Sequence, residues 1–325
     1  MKVLQSSFTE SELKYINTVL RDGDIGFGAN VELFECMFRH YSRKEHNVAV
    51  NSASAAAFMI FAYLKEKYGT CDVYTTSLGF TSPAWAAQHF GHTIIWVDVT
   101  TDLLFDCSDY ISKRSQSVSK NKIVLMPILY GGVSTIPNWQ ILGDEIVVVD
   151  SAHCCTPTID SDFVFFSFHP TKPICTSDGG MLSTNIMDSI DFFRNYRNFG
   201  RKPIGSGYDI VQEGFKFYMN NLNATIGLVS IKNYYTNLET RRKNFMLLQD
   251  MYMGKLLNHD PNSSYYFATL LTDQADELNS KYGLAKHYPL LHKMTYYTNC
   301  TLHNTETLFS KIVNLPLYDI NFHNS

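Results

Sequence analysis

Short apolar runs alternate with segments of helical spacing along most of the chain. The runs have the length of buried strands, and segments such as residues 83–90 place apolar residues at helical intervals. This alternation predicts an α/β protein whose mostly parallel sheet is covered by helices on both faces. The runs that predict strands are residues 48–50, 72–76, 94–97, 123–128, 146–149 and 163–166.

The alternation weakens after Asn195. Residues 197–207 are rich in glycine and cations and predict a mobile or ligand-contacting loop. Two helices are predicted over residues 221–234 and 238–253, and the charge run at residues 241–243 of the second indicates a solvated face. The last segment mixes helical and strand patterns. We therefore predict a large domain, residues 1–235, followed by a small C-terminal α+β domain, residues 236–325.

Polar residues follow several of the predicted strands. In a parallel α/β sheet, ligands bind outside the carboxyl ends of the strands. The polar residues expected at that edge are Asn51, Asp98, Tyr130, Asp150 and Ser167.

One lysine lies between two apolar runs in the stretch FVFFSFHPTKPICTSDGGML, residues 163–182. Lys172 is close in sequence to the hydroxyls of Ser167 and Thr171, and a turn at residues 178–180 follows. A lysine that loses part of its hydration between buried segments can act as a nucleophilic amine, as Schiff-base lysines do. The alternative is a lysine that extends to solvent along an apolar surface.

Small residues mark a second candidate site at residues 51–57, NSASAAA. A strand passes there into a helix, and free amides at a helix start, beside the hydroxyls of Ser52 and Ser54, favour a phosphate. An ordinary helix cap explains the same residues. Asp150 either caps a turn or pairs with a cationic ligand atom, and His153 lacks partners at the spacing of a metal site.

Composition excludes several classes of protein. The 27 basic and 31 acidic residues give a net charge of −4, without a long basic block, so no nucleic-acid partner is expected. Seven cysteines without a C-x-x-C pair argue against a disulfide framework and a zinc site. The chain has neither the apolar core of a signal peptide at its start nor a run long enough to cross a bilayer, so we expect a cytoplasmic protein without membrane contact.

Together, these motifs resemble the DegT/StrS-type pyridoxal-phosphate-dependent aminotransferases, which act on nucleotide-linked keto sugars. The resemblance covers nearly the whole chain and is most specific in the lysine motif. The similar segments are IGFGANVELFE at 25–35, NSASAAA at 51–57, ILYG at 128–131, DSAH at 150–153 and SFHPTKPICTSDGG at 167–180.

The resemblance implies a fold-type I transferase and a role for each site residue. Lys172 would hold pyridoxal phosphate covalently and shuttle a proton, and Asp150 would pair with the pyridinium nitrogen. His153 would lie near the phenolic oxygen of the ring, and Phe80 would stack on the ring. The residues that would hold the phosphate are Ala53, Ser54 and Ser167.

Two departures from the family pattern concern the phosphate and the C-terminus. Lys216 stands where an Asn of the neighbouring subunit usually contacts phosphate; it could serve as a point charge or be a solvated surface lysine. The last helix of the family normally continues beyond Asp319, whereas this chain ends at Ser325. We expect this shortening to affect stability and substrate fit.

The resemblance implies an aminotransferase that works as a homodimer with shared active sites. It would move an amino group from an amino-acid donor, such as glutamate, to a nucleotide-linked keto sugar, with a 4-keto sugar favoured. One alternative is a sugar dehydratase of the same fold, but its relatives replace the lysine with histidine. The other is a binding protein that kept the fold without turnover.

Overall fold

The computed structural model describes residues 9–284, 286 and 288–318, and its main feature is a sheet of seven strands. In the sheet, the strands are arranged in the order β1-β7-β6-β5-β4-β2-β3. They are β1 (His46–Val50), β2 (Cys71–Thr76), β3 (Thr93–Val97), β4 (Lys122–Met126), β5 (Ile146–Asp150), β6 (Phe163–Ser167) and β7 (Gly180–Thr184).

Only β7 runs against the other six strands. It pairs antiparallel with both β1 and β6, whereas β6, β5, β4, β2 and β3 are parallel to their neighbours. The carboxyl ends of six strands and the start of β7 therefore lie at one edge of the sheet. The predicted α/β sheet, mostly parallel, is confirmed.

Helices cover both faces of this sheet. The helices of the described residues are α1 (Glu10–Asp22), α2 (Ala29–Ser42), α3 (Ala53–Tyr68), α4 (Thr81–His89), α5 (Cys107–Gln116), α6 (Ile190–Tyr196), α7 (Asn221–Met251), α8 (Ala275–Tyr282) and α9 (His303–Phe309). Apolar residues of α2, α5 and α7 pack on one face, and those of α3, α4 and α6 pack on the other. Strand residues alternate between the two cores, as Val147 and Val148 do, because successive side chains point to opposite faces.

The C-terminal part of the described chain forms a second, smaller core. Strands β10 (Ala268–Leu271) and β11 (Ile312–Leu315) pair antiparallel, and helix α8 packs beside them. The predicted boundary after residue 235 falls inside α7, which contributes to both cores. The division at this helix stays a proposal, and the expectation for the segment after Asp319 lies outside the described residues.

Three local predictions were wrong. Residues 197–207 are not one continuous loop: turns at 197–200 are followed by β8 (Arg201–Ile204) and β9 (Gly207–Ile210), which pair as a hairpin whose turn begins at Gly205 with φ 57°. The two helices predicted after residue 221 are the single helix α7, because no proline or glycine interrupts residues 235–237. Arg241, predicted to be solvated, is buried and donates from Nε to the carbonyl of Ser264 at 3.0 Å.

A buried ion pair fixes the start of the sheet against α2. Arg197 and Glu35 are 5% and 8% exposed, and their side chains form a short contact between Nη1 and Oε1. Both also bind the backbone of Ala49 in β1: Arg197 donates to its carbonyl at 2.7 Å, and Glu35 accepts from its N–H at 2.8 Å. The pair therefore holds the strand that leads into residues 51–57.

We expect Glu35→Ala to lower the free energy of unfolding by about 3–5 kcal/mol, because it leaves the Arg197 guanidinium buried without its carboxylate. Chemical denaturation measures this change. Glu45→Ala, which breaks the exposed pair with Arg39, is the control and should cost less than about 1 kcal/mol. Equal effects of the two substitutions would contradict the importance of the buried pair.

Candidate active site

A cavity of about 370 Å³ opens at the carboxyl edge of the sheet. Its volume lies in the usual range of small-molecule sites, about 300–1,000 Å³. The structure brings seven of the eight predicted site residues to its walls: Ala53, Ser54, Phe80, Asp150, His153, Ser167 and Lys172.

Lys216 is the predicted site residue that does not line this cavity. Its backbone carbonyl accepts from the side-chain amide of Asn51 at 3.1 Å, and its amine lies 5.8 Å from the ring centroid of Tyr218. The residue is exposed and adjacent in space to the start of α3, so its predicted contact with a phosphate stays a proposal.

The start of α3 forms one end of the cavity. Ser52 caps the helix by accepting a hydrogen bond from the N–H of Ala55 at 3.1 Å. The N–H groups of Ala53 and Ser54 belong to the first turn, where no intrahelical acceptor exists. The Ser54 hydroxyl donates to Ser82 at 2.7 Å. This end can therefore bind an anion through backbone amides and the helix dipole.

Gly180 lets the helix start approach the sheet closely. It pairs with Val50 of β1 on one side and Ser167 of β6 on the other. A Cβ at this position would lie 2.5 Å from the Ala53 nitrogen. The glycine thus allows the backbone of Ala53 and the side chain of Ser167 to share one anion site.

Asp150 and Lys172 supply opposite charges to the middle of the cavity. Asp150 ends β5, is 4% exposed and accepts from the N–H of Ala152 at 2.9 Å. Burial raises its pKa to about 6, although Ala152 and Lys172 oppose this shift. Burial also lowers the pKa of Lys172 to about 8, against the attraction of Asp150. The cavity thus holds a carboxylate near an amine that can become neutral close to physiological pH.

Aromatic rings form the wall next to Lys172. The Lys172 amine donates to the hydroxyl of Tyr266 at 3.3 Å and lies 4.4 Å from its ring centroid. That ring stacks on His153, with centroids 4.2 Å apart and an interplanar angle of 27°. His153 Nε2 in turn lies 3.1 Å from the hydroxyl of Tyr288, which packs edge-on against Phe80. The wall is therefore a connected set of rings that can confine a planar ligand.

Sequence reasoning missed Tyr266 and Tyr288 as site residues. Both come from the C-terminal part of the chain, far in sequence from Lys172, and neither lies in a motif that was identified. They reach the cavity only through tertiary folding, Tyr266 as part of the larger core, so no local pattern indicated them. Asp98, expected at the ligand edge, instead accepts from the N–H groups of Asn304 and Thr305 at the start of α9.

The described residues offer few alternatives to this cavity as a reaction site. Among them, no group of three or more His, Cys, Asp or Glu side chains could hold a metal ion. No helix within these residues is long and apolar enough to cross a membrane. A larger groove, of about 860 Å³, is lined by charged side chains of α2, α6 and the β8–β9 hairpin and lacks the strand-end residues.

The residues of the cavity fit pyridoxal phosphate. The α3 end, kept open by Gly180, suits a phosphate group. The buried carboxylate of Asp150 suits a cationic ring nitrogen, and Lys172 suits an aldehyde. These three features are complementary to the three polar parts of the cofactor.

Comparisons with known proteins agree with this site. Residues 6–321 match the family model "DegT/DnrJ/EryC1/StrS aminotransferase family". The chain is 25% identical to the spore coat polysaccharide biosynthesis protein SpsC of Bacillus subtilis, covering 95% of this chain and 90% of that one. It is 24% identical, with the same coverage, to the UDP-4-amino-4,6-dideoxy-N-acetyl-beta-L-altrosamine transaminase of Campylobacter jejuni.

The fold is similar to that of solved structures whose titles name sugar aminotransferases. Spr1654 from Streptococcus pneumoniae, in its PLP-form, superimposes with a TM-score of 0.85 at 22% identity, covering 98% of this chain and 94% of that one. The predicted fold-type I architecture is confirmed.

We expect Gly180→Ala to weaken the binding of pyridoxal phosphate by about tenfold or more, which corresponds to about 1.4 kcal/mol. The added Cβ would push the first amides of α3 away from Ser167. Titration of the protein with the cofactor, followed by absorbance, measures the affinity. The control Gly143→Ala places a Cβ 3.8 Å from the nearest atom, in an exposed segment. Unchanged affinity in Gly180→Ala would contradict the shared anion site.

Proposed function

This chain belongs to the DegT/DnrJ/EryC1/StrS aminotransferase family, and we propose that it transfers an amino group from glutamate to a nucleotide-linked 4-keto sugar. The enzyme is a sugar aminotransferase, and its cofactor is pyridoxal phosphate, as in the rest of the family. The observation that carries the proposal is the placement of Lys172 and Asp150 in one cavity that ends at the α3 helix start.

Each cavity residue has a proposed task toward the cofactor. The amides of Ala53 and Ser54 and the hydroxyl of Ser167 hold the phosphate, and Lys172 forms the covalent link. When bound, pyridoxal phosphate supplies an electron sink for the carbanion formed at the substrate carbon. Asp150 keeps a proton on the ring nitrogen, since a buried carboxylate favours a cationic partner. Lys172 and Asp150 are therefore the two charged residues on which the proposed chemistry depends.

Lys172 also moves the proton in each half-reaction. Its lowered pKa, about 8, leaves a useful fraction of neutral amine near pH 7–8. Nζ takes a proton from the carbon of the amino donor as the donor becomes a keto acid. In the second half-reaction, Nζ returns a proton to the carbon of the keto sugar as it becomes an amino sugar.

The rings of the cavity wall would orient the cofactor. His153 is fixed between Tyr266 and Tyr288, so it can present one edge toward the phenolic oxygen of the ring. Phe80 is 54% exposed at the cavity mouth, where its side chain can cover a planar ligand. Together they exclude water from the reacting atoms.

The proposed substrate rests on the names of the similar proteins and on the charged residues that line the cavity. Both similar proteins carry names from sugar metabolism, and one is named a transaminase of a UDP-linked amino sugar. Lys172 is the only Lys or Arg among the described residues that line the cavity. The carboxylates of glutamate and the phosphates of a nucleotide therefore need cations from outside this cavity.

A second copy of the chain would supply those cations, so we propose a cytoplasmic homodimer with shared active sites. The β8–β9 hairpin exposes apolar side chains beside Arg201 and Lys202: Ile204, Tyr208 and Ile210 are 56–58% exposed. An exposed apolar arm of this kind is a common feature of subunit contacts. Lys216, which follows the hairpin, would reach the phosphate held by the partner chain.

The two rival functions make different use of Lys172. A sugar dehydratase of this fold has histidine at that position, so the lysine disfavours it. A binding protein without turnover would not need an amine whose pKa lies near the working pH. The presence of that amine favours an aminotransferase.

We expect Lys172 to be the attachment site of the cofactor. The visible absorbance band of the loaded protein should shift on adding glutamate, and mass spectrometry should show an amino sugar formed from a nucleotide-linked 4-keto sugar. Borohydride reduction and peptide mapping should then place the adduct on Lys172, and Lys172→Ala should abolish turnover.

An adduct on another lysine would overturn the assignment of Lys172. A band that does not respond to any amino acid would instead favour the binding protein. Parallel assays with 3-keto sugars act as the control for the position that is aminated.

Two inactive variants should rescue each other if active sites are shared. A mixed dimer of Lys172→Ala and Lys216→Ala contains one site with both defects and one with neither, so co-refolding should recover activity that neither parent shows. Lys243→Ala, which changes an exposed lysine of α7, is the control and should be active alone. A fully active Lys216→Ala would contradict the proposed phosphate contact.

A further inference from the structure

A chain of hydrogen bonds leads from Lys172 to the protein surface. The Lys172 amine lies 3.3 Å from the hydroxyl of Tyr266, which lies 3.1 Å from the hydroxyl of Thr171. The Thr171 hydroxyl is 3.1 Å from Nδ1 of His169, an exposed residue. Three contacts thus connect the amine in the cavity with an imidazole in contact with water.

All three hydrogen bonds can point in the same direction. The ammonium of Lys172 can only donate, so the oxygen of Tyr266 accepts. Tyr266 can then donate to Thr171, and Thr171 to Nδ1 of His169. The backbone N–H of Thr171 also points to Nδ1, at 3.4 Å. This N–H donor makes Nδ1 the acceptor of the neutral imidazole, with its proton on Nε2, so the Thr171 hydroxyl can donate to Nδ1 as well.

Hydrogen bonds hold the backbone segment that carries Tyr266. Its N–H donates to Gly131 at 3.0 Å, and the N–H of Ser264 donates to Gly132 at 2.7 Å. Gly132 has φ 92°, and a Cβ there would lie 2.9 Å from the Tyr266 nitrogen. The Ser264 hydroxyl also bonds the N–H of Cys155 and lies 2.9 Å from the hydroxyl of Tyr234. Tyr266 is therefore held by several elements.

We propose that Tyr266 and Thr171 form a proton relay between Lys172 and His169. In one passage, Nζ gives a proton to the Tyr266 oxygen, Tyr266 gives its own proton to Thr171, and Thr171 gives its own to Nδ1 of His169. The result is a neutral amine, an imidazolium and two hydroxyls that have only reoriented. His169 then releases its Nε2 proton to water. No electrons are transferred.

The relay gives Lys172 a route to solvent when the cavity is filled, and this use rests on the proposed function. A cofactor and a substrate would occupy the cavity through which water otherwise reaches the amine. The amino donor enters as an ammonium, and a surplus proton that stays on Nζ once Lys172 is released from the cofactor must leave before Nζ can take a proton from the donor carbon. Tyr266, Thr171 and His169 line one wall of the cavity, so the relay would pass along that wall to the exposed imidazole.

The charges around Lys172 and His169 are compatible with proton transfer from the amine to the imidazole. Burial and the nearby Lys172 lower the pKa of His169, with Asp178 opposing, so the imidazole is neutral near pH 7 and free to accept. Asp150 and Cys155 oppose the lowering of the Lys172 pKa by burial. Burial raises the pKa of Tyr266 to about 12, so its hydroxyl keeps its proton and can relay it without becoming a phenolate.

The first measurement uses the protein without cofactor and reads the pKa of Lys172. Competitive labelling with an amine reagent across pH, followed by peptide mass spectrometry, gives this value. Tyr266→Phe keeps the ring but removes the acceptor of the ammonium, so the pKa of Lys172 should fall by about one unit. The control Tyr110→Phe removes a hydroxyl bonded to Glu145, outside the cavity, and should leave the pKa unchanged. An unchanged pKa in Tyr266→Phe would overturn the first link of the relay.

The second measurement uses the loaded enzyme and one half-reaction. The change of the visible band on mixing with glutamate should slow by about tenfold or more in His169→Ala and in Thr171→Val. Added imidazole should restore the rate of His169→Ala, because it can replace the missing side chain, but not that of Thr171→Val. The pKa of Lys172 without cofactor should stay near that of wild type in His169→Ala.

The outcomes separate the relay from the proposed function. A wild-type enzyme that does not react with any amino donor would contradict the function, whatever the variants do. A reactive wild type with equally fast variants, or a slow His169→Ala that imidazole does not restore, would overturn the relay alone.

Discussion

The position of β7 between β1 and β6 is the constraint on which the active site depends. Its first residue, Gly180, pairs with the last residues of both neighbours, Val50 and Ser167. The carboxyl ends of β1 and β6 therefore lie at the same position along the sheet edge, and the start of α3 lies close to Ser167. Because Gly180 lacks a side chain, backbone amides and a hydroxyl can converge on one anion. A one-residue shift of β7 would separate them.

The same edge of the sheet brings opposite charges into a poorly hydrated cavity. Asp150 ends the strand beside β6, and Lys172 follows β6 after a short turn. Burial raises the pKa of the acid and lowers that of the amine, so both groups titrate nearer to neutrality than they do in water. A cofactor with a cationic nitrogen and an aldehyde would offset the free-energy cost of burying the carboxylate and the amine. The fold thereby places both ionisable groups that the chemistry needs in the cavity.

Local sequence patterns predicted the sheet, the helix start and the lysine segment, because each depends on neighbouring residues, whereas Phe80 and His153 were assigned to the site only through the family resemblance. The parallel-sheet rule then placed Asp150 and Ser167 at one edge. Tyr266 and Tyr288 could not be predicted in this way, since they are far from Lys172 and His153 in sequence and reach them only through tertiary folding, Tyr266 as part of the larger core. The β8–β9 hairpin was missed because its strands are short, exposed and charged, and resemble a loop in composition.

The most direct test of this account is a crystal structure of the protein with pyridoxal phosphate. We expect the phosphate at the amides of Ala53 and Ser54 beside Ser167, the ring nitrogen within hydrogen-bonding distance of Asp150, and continuous density from the cofactor to Nζ of Lys172. A phosphate bound elsewhere, or a ring nitrogen directed away from Asp150, would contradict the central claim that the strand ends around Gly180 assemble one cofactor site.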